Sequence, residues 1–471
     1  MLLSQLLEDV KVLNAFEDRE ISDVTDKSGN IKEGCAFVCV KGARFDGHSV
    51  AEDALAQGAR AVIVTRDLGL KEQILVENSR EAYALMCKNL SGRAVDKLHV
   101  IGITGTNGKT TTAFVIKDIL KALGIQSGLI GTVKNMVGEK DFHTELTTPD
   151  PYDMHALFKM MVDEGIEYCV METSSQAFHQ KRLAGIHFDV GIFSNLTQDH
   201  LDYHGTIDEY KKCKKELFLN CDVAVLNGDD GASEYMAEGI SAPVKYYSVN
   251  AQSNFKAEDI SLYSDRVEYT LLGEEIVFHI PGDFSVYNSL AAFSAVCMLG
   301  FTDTEVAKAI KFAGSVSGRL EVLKTDTDFS IIIDYAHSPD GLEKAINAVR
   351  GFTKGRVITV FGCGGDRDKT KRPKMGKIAA ELSDIVVVTS DNPRTEDPEE
   401  IIKDILVGID AGDKEIITVL DRSKAIEKAI SIARKGDAVL LAGKGHETYQ
   451  VIGKERVHYD EREVVAQLLC K

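Results

Sequence analysis

The apolar run 98–104, Leu98-His99-Val100-Ile101-Gly102-Ile103-Thr104, passes directly into Gly105-Thr106-Asn107-Gly108-Lys109-Thr110-Thr111-Thr112 and then into a helix-period pattern that continues to Leu123. A buried strand, a glycine-rich turn and a helix in that order leave few folds open. The strand must lie inside a sheet, and the helix must cross back over it. Backbone amides of such a turn, with the positive end of the following helix dipole, cradle a nucleotide's β-phosphate. In that arrangement Lys109 reaches the β- and γ-phosphates and the Thr110 hydroxyl ligands magnesium. The spacing departs from G-x-x-x-x-G-K-[ST], because Ile103 stands at its first glycine and Gly105 precedes Gly108 too closely. A surface turn ahead of a helix is the bland alternative; the coincidence of strand, Gly-Lys-Thr and helix favours the phosphate loop.

The same alternation extends along the chain, whose 471 residues suffice for about three domains. No internal repeat or low-complexity tract marks the boundaries, so they are read from the order of strand-like and helix-like stretches. Residues 1–97 carry short apolar runs at 36–40 and 59–64 separated by turns, a small α/β unit. In residues 98–315, buried-strand patterns at 168–171, 190–193 and 223–226 alternate with helix patterns at 110–123 and 207–218, as parallel βαβ units require. Residues 316–471 repeat the alternation, with strands near 331–335, 356–361, 385–389, 416–420 and 438–442. The fold class expected is α/β in three domains, with a central P-loop-type parallel-sheet ATPase domain and a C-terminal Rossmann-like, doubly wound domain. Nearly every strand runs into a polar or glycine-rich cluster at its carboxyl end, where open α/β sheets bind ligands.

Composition narrows the partners. Lys+Arg 55 against Asp+Glu 73 gives a net charge of -18, which repels nucleic-acid backbones and anionic lipid. The first residues lack a basic leader and meet Glu8 and Asp9 at once, and no apolar run approaches a bilayer span, so a cytoplasmic location is expected. Nine scattered cysteines, the nearest pair being Cys35 and Cys39, lack the companions of a zinc site and read as reduced thiols. Cys363, in a glycine loop, is assigned no chemistry.

Three further features bear on chemistry. Glu172 follows the strand pattern 168–171, where a carboxylate can face Thr110 across a magnesium ion; taken alone it reads equally as a solvated strand end. The strand 190–193 leads into Asn195-Leu196-Thr197-Gln198-Asp199-His200-Leu201-Asp202-Tyr203-His204-Gly205, dense in possible ligands. On the next helix pattern Tyr210, Lys214 and Phe218 fall four residues apart on one face. A lysine there can merely snorkel, or, with a lowered pKa, capture carbon dioxide as a carbamate and become an anionic metal ligand.

Together these residues resemble the Mur ligases, the peptidoglycan peptide-adding enzymes. The likeness rests on Gly105-Thr106-Asn107-Gly108-Lys109-Thr110-Thr111, on Glu172 before Thr173-Ser174-Ser175, and on Asp199-His200 ahead of Tyr210 and Lys214. It continues through Asn288, Gly318-Arg319, Asp334-Tyr335-Ala336-His337, Gly362-Cys363-Gly364-Gly365-Asp366-Arg367 and Gly443-Lys444-Gly445-His446-Glu447. The resemblance implies an ATP- and Mg2+-dependent, ADP-forming ligase acting as a monomer. It implies that Thr110 and Glu172 bind one magnesium, that His200 and carbamylated Lys214 serve a second, and that Asn288, Arg319, Asp334 and His337 help hold the nucleotide. Ser28 matches a serine that meets the UDP-sugar, although Lys27 and Gly29 replace its usual aspartate and arginine neighbours. Thr147, Thr148, Ser174, Gln180 and Arg182 match positions that hold the muramoyl dipeptide. The three blocks would then bind UDP-sugar, ATP and amino acid in turn.

Asp391-Asn392-Pro393-Arg394, by itself an ordinary turn, matches the motif of the family's diaminopimelate-adding members. A planar guanidinium such as Arg394 receives the second carboxylate of meso-2,6-diaminopimelate in bidentate fashion, a group that lysine lacks. Arg367, Asn392, Gly443 and Glu447 match the remaining amino-acid contacts, Glu447 being suited to an ammonium. The implied reaction phosphorylates the D-glutamyl γ-carboxylate of UDP-N-acetylmuramoyl-L-alanyl-D-glutamate, and the diaminopimelate amine then attacks the acyl phosphate. A lysine-adding ligase or a folylpolyglutamate synthetase would share the loop and lysine without Asp-Asn-Pro-Arg. A nucleotide-dependent regulatory protein would lack the acceptor set.

Overall fold

Alternation of buried side chains on the phosphate-loop strand His99–Thr104 sends Ile101 and Ile103 to one face of a sheet and Val100 to the other, so that this strand lies between two hydrophobic cores. The computed structural model describes residues 1–42, 45–263, 265–314, 316–410, 412 and 414–470. Within it the sheet runs Phe255–Lys256, Val244–Ser248, Cys221–Asn227, Phe188–Phe193, His99–Thr104, Tyr168–Glu172 and Ser127–Ile130, all parallel, then Asn135–Val137 and Lys140–Phe142 antiparallel. Helices Lys109–Ala122 and Asp283–Met298 cover one face and helix Pro151–Asp163 the other. Gly102 keeps the second face thin, since a Cβ there would press on Leu217 and Phe188.

Two features of the middle segment differ from the sequence reading. Strands Glu258–Leu262, Val267–Leu271 and Glu274–Phe278 form an antiparallel sheet, and Val267, Tyr269 and Leu271 turn inward with the period of two that marks a one-sided strand. The helix expected to reach Phe218 stops at Lys215, and Phe218 instead opens the 3-10 turn Phe218–Asn220. Tyr210 and Lys214 therefore share a helical face, whereas Phe218 is buried in the core beside Leu217.

Beyond residue 316 a mixed sheet runs Glu321–Val322, Ser330–Asp334, Ala438–Ala442, Val357–Phe361, Ile385–Val388 and Glu415–Thr418, only its first pair antiparallel. From Ser330–Asp334 to Glu415–Thr418 the chain steps across the sheet in one direction. Right-handed crossovers therefore place helices Pro339–Phe352, Lys371–Leu382 and Pro398–Leu406 on one face. The return to Ala438–Ala442 reverses direction and puts helices Arg422–Ile432 and Glu461–Leu469 on the opposite face. A hairpin, Tyr449–Ile452 with Glu455–His458, extends from this unit and was not anticipated. The first segment builds a parallel sheet of Val24–Thr25, Ala36–Val38, Ala61–Val64 and Gln73–Leu75 with its own core. Among the described residues no helix is long and apolar enough to cross a membrane.

Candidate active site

The phosphate loop is already shaped. Gly105 and Gly108 hold φ of 142° and 87°, and side chains there would run into Ser194 and Asn288. The Ser194 hydroxyl donates to the Asn107 carbonyl at 2.6 Å, and the Asn107 amide donates to Asn195 Oδ1 at 3.0 Å, fixing the loop against the end of strand Phe188–Phe193. Lys109 Nζ folds back on the carbonyls of Gly105 and Thr106, at 2.8 and 2.9 Å. Burial lowers its pKa, opposed by the charges of Glu172 and Asp199.

Glu172 ends strand Tyr168–Glu172 and is 1% exposed. Its carboxylate accepts from Thr110 Oγ1 at 2.9 Å and from the Thr132 amide and hydroxyl at 2.8 and 2.9 Å. Among the described residues no three His, Cys, Asp or Glu side chains gather as a metal cage. One carboxylate beside one hydroxyl at a phosphate loop is the donor set Mg2+ uses when water and phosphate oxygens complete its octahedron, so the residues fit that ion. Arg319 Nη2 donates to the same Thr110 hydroxyl at 3.2 Å, and its guanidinium lies 4.7 Å over the Tyr335 ring.

Lys214 is buried, with Nζ donating to the Gly105 carbonyl at 2.7 Å and lying 4.2 Å over the Tyr210 ring. Burial, reinforced by Lys109, drives its pKa well below that of an ordinary lysine. His200 sits at a φ of 53°, its amide donating to Asp199 Oδ1 at 2.8 Å. Desolvation lowers its pKa, and the Asp199 charge opposes that shift.

A cavity of about 170 Å³ is lined by Lys109, Thr110, Glu172 and Arg319 themselves, and three larger ones open around it. One of about 340 Å³ is lined by Asn107, Gly108, Thr111, Asn288, Arg319 and Asp334, together with Tyr287 and Asn227. A second, of about 200 Å³, brings Lys109, Thr147, Thr148, Ser174, Arg182, His200 and Lys214 together. Gln180 stands behind it, accepting from Arg182 Nη2 at 2.6 Å, while Arg182 Nη1 donates to the Thr148 carbonyl at 2.7 Å. The third, of about 480 Å³, contains Arg367, Asp391, Asn392, Arg394, Gly443 and Glu447 at one side and Asp199, His200 and His337 at the other. Desolvation holds His337 at about 4, so its imidazole is neutral, and Nδ1 donates to the Tyr335 carbonyl at 2.9 Å. Asp334 accepts from the amides of Leu320 and Ala336, both at 2.8 Å.

Arg394 is one of several cations of the third cavity, with Arg367, Lys371 and Lys374, that have no carboxylate partner among the described residues. It reaches only backbone oxygens, Gly365 at 2.9 Å and Asn392 at 3.4 Å, and burial and the nearby Arg367 both lower its pKa. The unanticipated hairpin aims it: the Arg394 amide donates to the Val451 carbonyl at 3.0 Å, and its carbonyl accepts from the Gly453 amide at 2.7 Å. Pro393 does not line the cavity; its carbonyl packs against Gly365. Ser28 likewise stays outside the 390 Å³ cavity of the first segment, which Lys27, Gly29, Asp150 and Tyr152 line. Sequence reasoning gave no role to Lys444, whose fully buried Nζ donates to Asn392 Oδ1 at 3.0 Å and to Glu447 Oε2 at 2.8 Å. It also missed Asp340, whose carboxylate receives the Asn107 side chain at 2.5 Å across the two units. Nothing in the residues around Asp340 signals that contact, whereas Lys444 lay inside a motif already singled out.

Comparisons with known proteins agree over the whole chain. Family models match residues 20–89 (Mur ligase family, catalytic domain), 103–296 (Mur ligase middle domain) and 318–445 (Mur ligase, glutamate ligase domain). The chain is 45% identical over 484 residues to a UDP-N-acetylmuramoyl-L-alanyl-D-glutamate--2,6-diaminopimelate ligase of Clostridium perfringens, covering 100% of this chain and 99% of that one. A solved structure of an enzyme with the same description superposes with a TM-score of 0.70 at 30% identity, covering 96% of this chain and 95% of that one. A MurF ligase from Thermotoga maritima in complex with ADP shares the fold, with a TM-score of 0.60 at 21% identity over 89% of this chain and 93% of that one.

Proposed function

The chain belongs to the Mur ligase family, and from that premise we propose that it uses ATP to join meso-2,6-diaminopimelate to the D-glutamyl residue of UDP-N-acetylmuramoyl-L-alanyl-D-glutamate, a step of peptidoglycan precursor synthesis. The observation that carries the choice of amino acid is Arg394: a half-buried guanidinium with no carboxylate partner among the described residues, facing a cavity whose far side carries Asp199, His200 and His337. We read residues 1–97, 98–315 and 316–471 as the UDP-sugar, ATP and amino-acid units.

The nucleotide lies between Asn288, Arg319, Asp334 and His337, with its β-phosphate in the amides of residues 105–111. Lys109 leaves the loop carbonyls for the transferring phosphoryl group. Thr110 and Glu172 would hold one Mg2+ and His200 with carbamylated Lys214 a second, and bound magnesium would neutralise phosphate charge. The carbamate forms when the neutral Lys214 amine adds carbon dioxide and releases a proton, which converts a neutral buried group into an anion beside Lys109. Thr147, Thr148, Ser174 and Arg182, backed by Gln180, hold the acceptor peptide so that its γ-carboxylate oxygen attacks the γ-phosphorus and ADP departs. The diaminopimelate amine, oriented by Arg367, Asn392, Arg394, Gly443 and Glu447, then attacks the acyl carbon, and phosphate leaves from the tetrahedral intermediate.

Phosphate release from ATP with the UDP-dipeptide and magnesium tests this directly. Release is expected with meso-diaminopimelate and not with L-lysine. Release with lysine would retain the ligase and remove Arg394 as selector; release with neither would overturn the substrate assignment.

A further inference from the structure

Behind the third cavity, out of reach of any substrate, lies another buried cation. Arg422 begins helix Arg422–Ile432, and its side chain is 0% exposed, an unfavourable place for a positive charge at a helix N-terminus. Its Nε donates to Glu461 Oε1 at 2.8 Å, and Glu461 itself begins the last helix, Glu461–Leu469. Its other nitrogens reach the two strand ends that feed the cavity. Nη2 donates to the Ala442 carbonyl at 2.9 Å, one residue before Gly443, and Nη1 to the Ser390 carbonyl at 3.4 Å, one residue before Asp391. Nη1 also stands 3.9 Å from Asp391 Oδ2, a buried oxygen with no hydrogen-bond partner among the described residues. A single guanidinium thus bridges the ends of two strands that Val357–Phe361 separates in the sheet, one leading to Asn392 and Arg394 and the other to Gly443 and Glu447.

We propose that Arg422, tied down by Glu461, is a positioning residue for amino-acid selection: it sets the spacing between the 391–394 turn and the 443–447 loop, and thereby the distance from the Arg394 guanidinium to the Glu447 carboxylate. Diaminopimelate carries its distal carboxylate and ammonium on one carbon, so the two groups must be received at a fixed separation. A cavity that widens by a fraction of an ångström still admits the molecule but loses one of the two contacts. Lys444 completes the frame from the other side. With the Asn392 side-chain amide, which donates at 2.9 Å, it occupies Glu447 Oε2 and leaves Oε1, which among the described residues has a single 3.5 Å contact from the Tyr335 hydroxyl, for the substrate ammonium.

This inference rests on the diaminopimelate reading, so wild-type turnover with diaminopimelate is the control that tests that reading separately. The variants are Arg422→Lys, which keeps the charge without the fork, and the double variant Arg422→Met with Glu461→Leu. The double variant exchanges the buried pair for apolar side chains of similar size, a replacement that folded proteins commonly tolerate. Both are expected to raise the KM for diaminopimelate by roughly 10-fold or more and to narrow the preference for diaminopimelate over lysine, with the KM for ATP unchanged. A thermal midpoint near wild type in the double variant, alongside the raised KM, separates positioning from general stability. An unchanged KM and preference in a folded variant, or failure of both variants to fold, would overturn the proposal and leave Arg422 a structural residue only.

Discussion

Arg394 holds a φ of 52°, a conformation most side chains avoid, and the hairpin Tyr449–Ile452 with Glu455–His458 keeps it there through two backbone hydrogen bonds. The strain aims a guanidinium at a cavity where it finds only carbonyl partners. Arg394→Lys leaves the backbone cost unchanged and removes only the planar fork. It should lower kcat/KM for diaminopimelate by about 2 kcal/mol or more and leave the KM for ATP alone, as steady-state kinetics would show. An unchanged kcat/KM would place the selecting group elsewhere. At this scale much of the site was legible in the sequence. Lys109, Thr110 and Glu172 carry chemistry in a strand-loop-helix context, and the structure sets them side by side. The motif Gly443-Lys444-Gly445-His446-Glu447 marks Lys444 in the sequence, but not its role, because a buried lysine is identified by what surrounds it rather than by its neighbours in the chain.

The elements owe their positions to a few close approaches. Gly318 holds a φ of 69°, and a Cβ there would run into the backbone of Gly445 and His446, the loop that carries Glu447. Gly318→Ala must therefore push Arg319 or that loop aside. A loss of about 1–3 kcal/mol in unfolding free energy is expected, with weaker binding of both ATP and diaminopimelate; denaturant melts and KM values measure the two. A variant as stable as wild type would show that the contact yields easily. Strand and helix positions near the loops were readable because the βαβ alternation is strong there. The antiparallel sheet of 258–278 escaped notice: exposed residues along Glu258–Leu262 dilute its alternation. The helix bearing Lys214 was read too long since Phe218 continues the apolar spacing, yet the chain tightens into a 3-10 turn after Lys215.

At the scale of the whole molecule, the units meet at contacts that periodicity does not encode. Asn107 reaches Asp340, Arg319 reaches Thr110, and His155 on helix Pro151–Asp163 is buried where that helix packs against the helix Ser79–Leu90 of the first segment. Among the described residues both ring nitrogens of His155 lack partners, and burial lowers its pKa from 6.5 to about 3. The folded ring is therefore neutral where the unfolded one gains a proton. Its contribution to stability is fully present above pH 6.5 and is lost as pH falls from 6.5 toward 3, by roughly 1.4 kcal/mol per unit. His155→Leu should flatten the acid side of the stability profile by that slope, and an unchanged profile would contradict the burial argument. Activation of the carboxylate by phosphorylation before the amine arrives leaves an isotopic trace, read by labelling both oxygens of the D-glutamyl γ-carboxylate with 18O and analysing the released phosphate by mass spectrometry. Each phosphate formed with diaminopimelate is expected to carry one 18O, because the attacking carboxylate oxygen leaves with phosphorus; unlabelled phosphate alongside amide product would contradict acyl-phosphate formation.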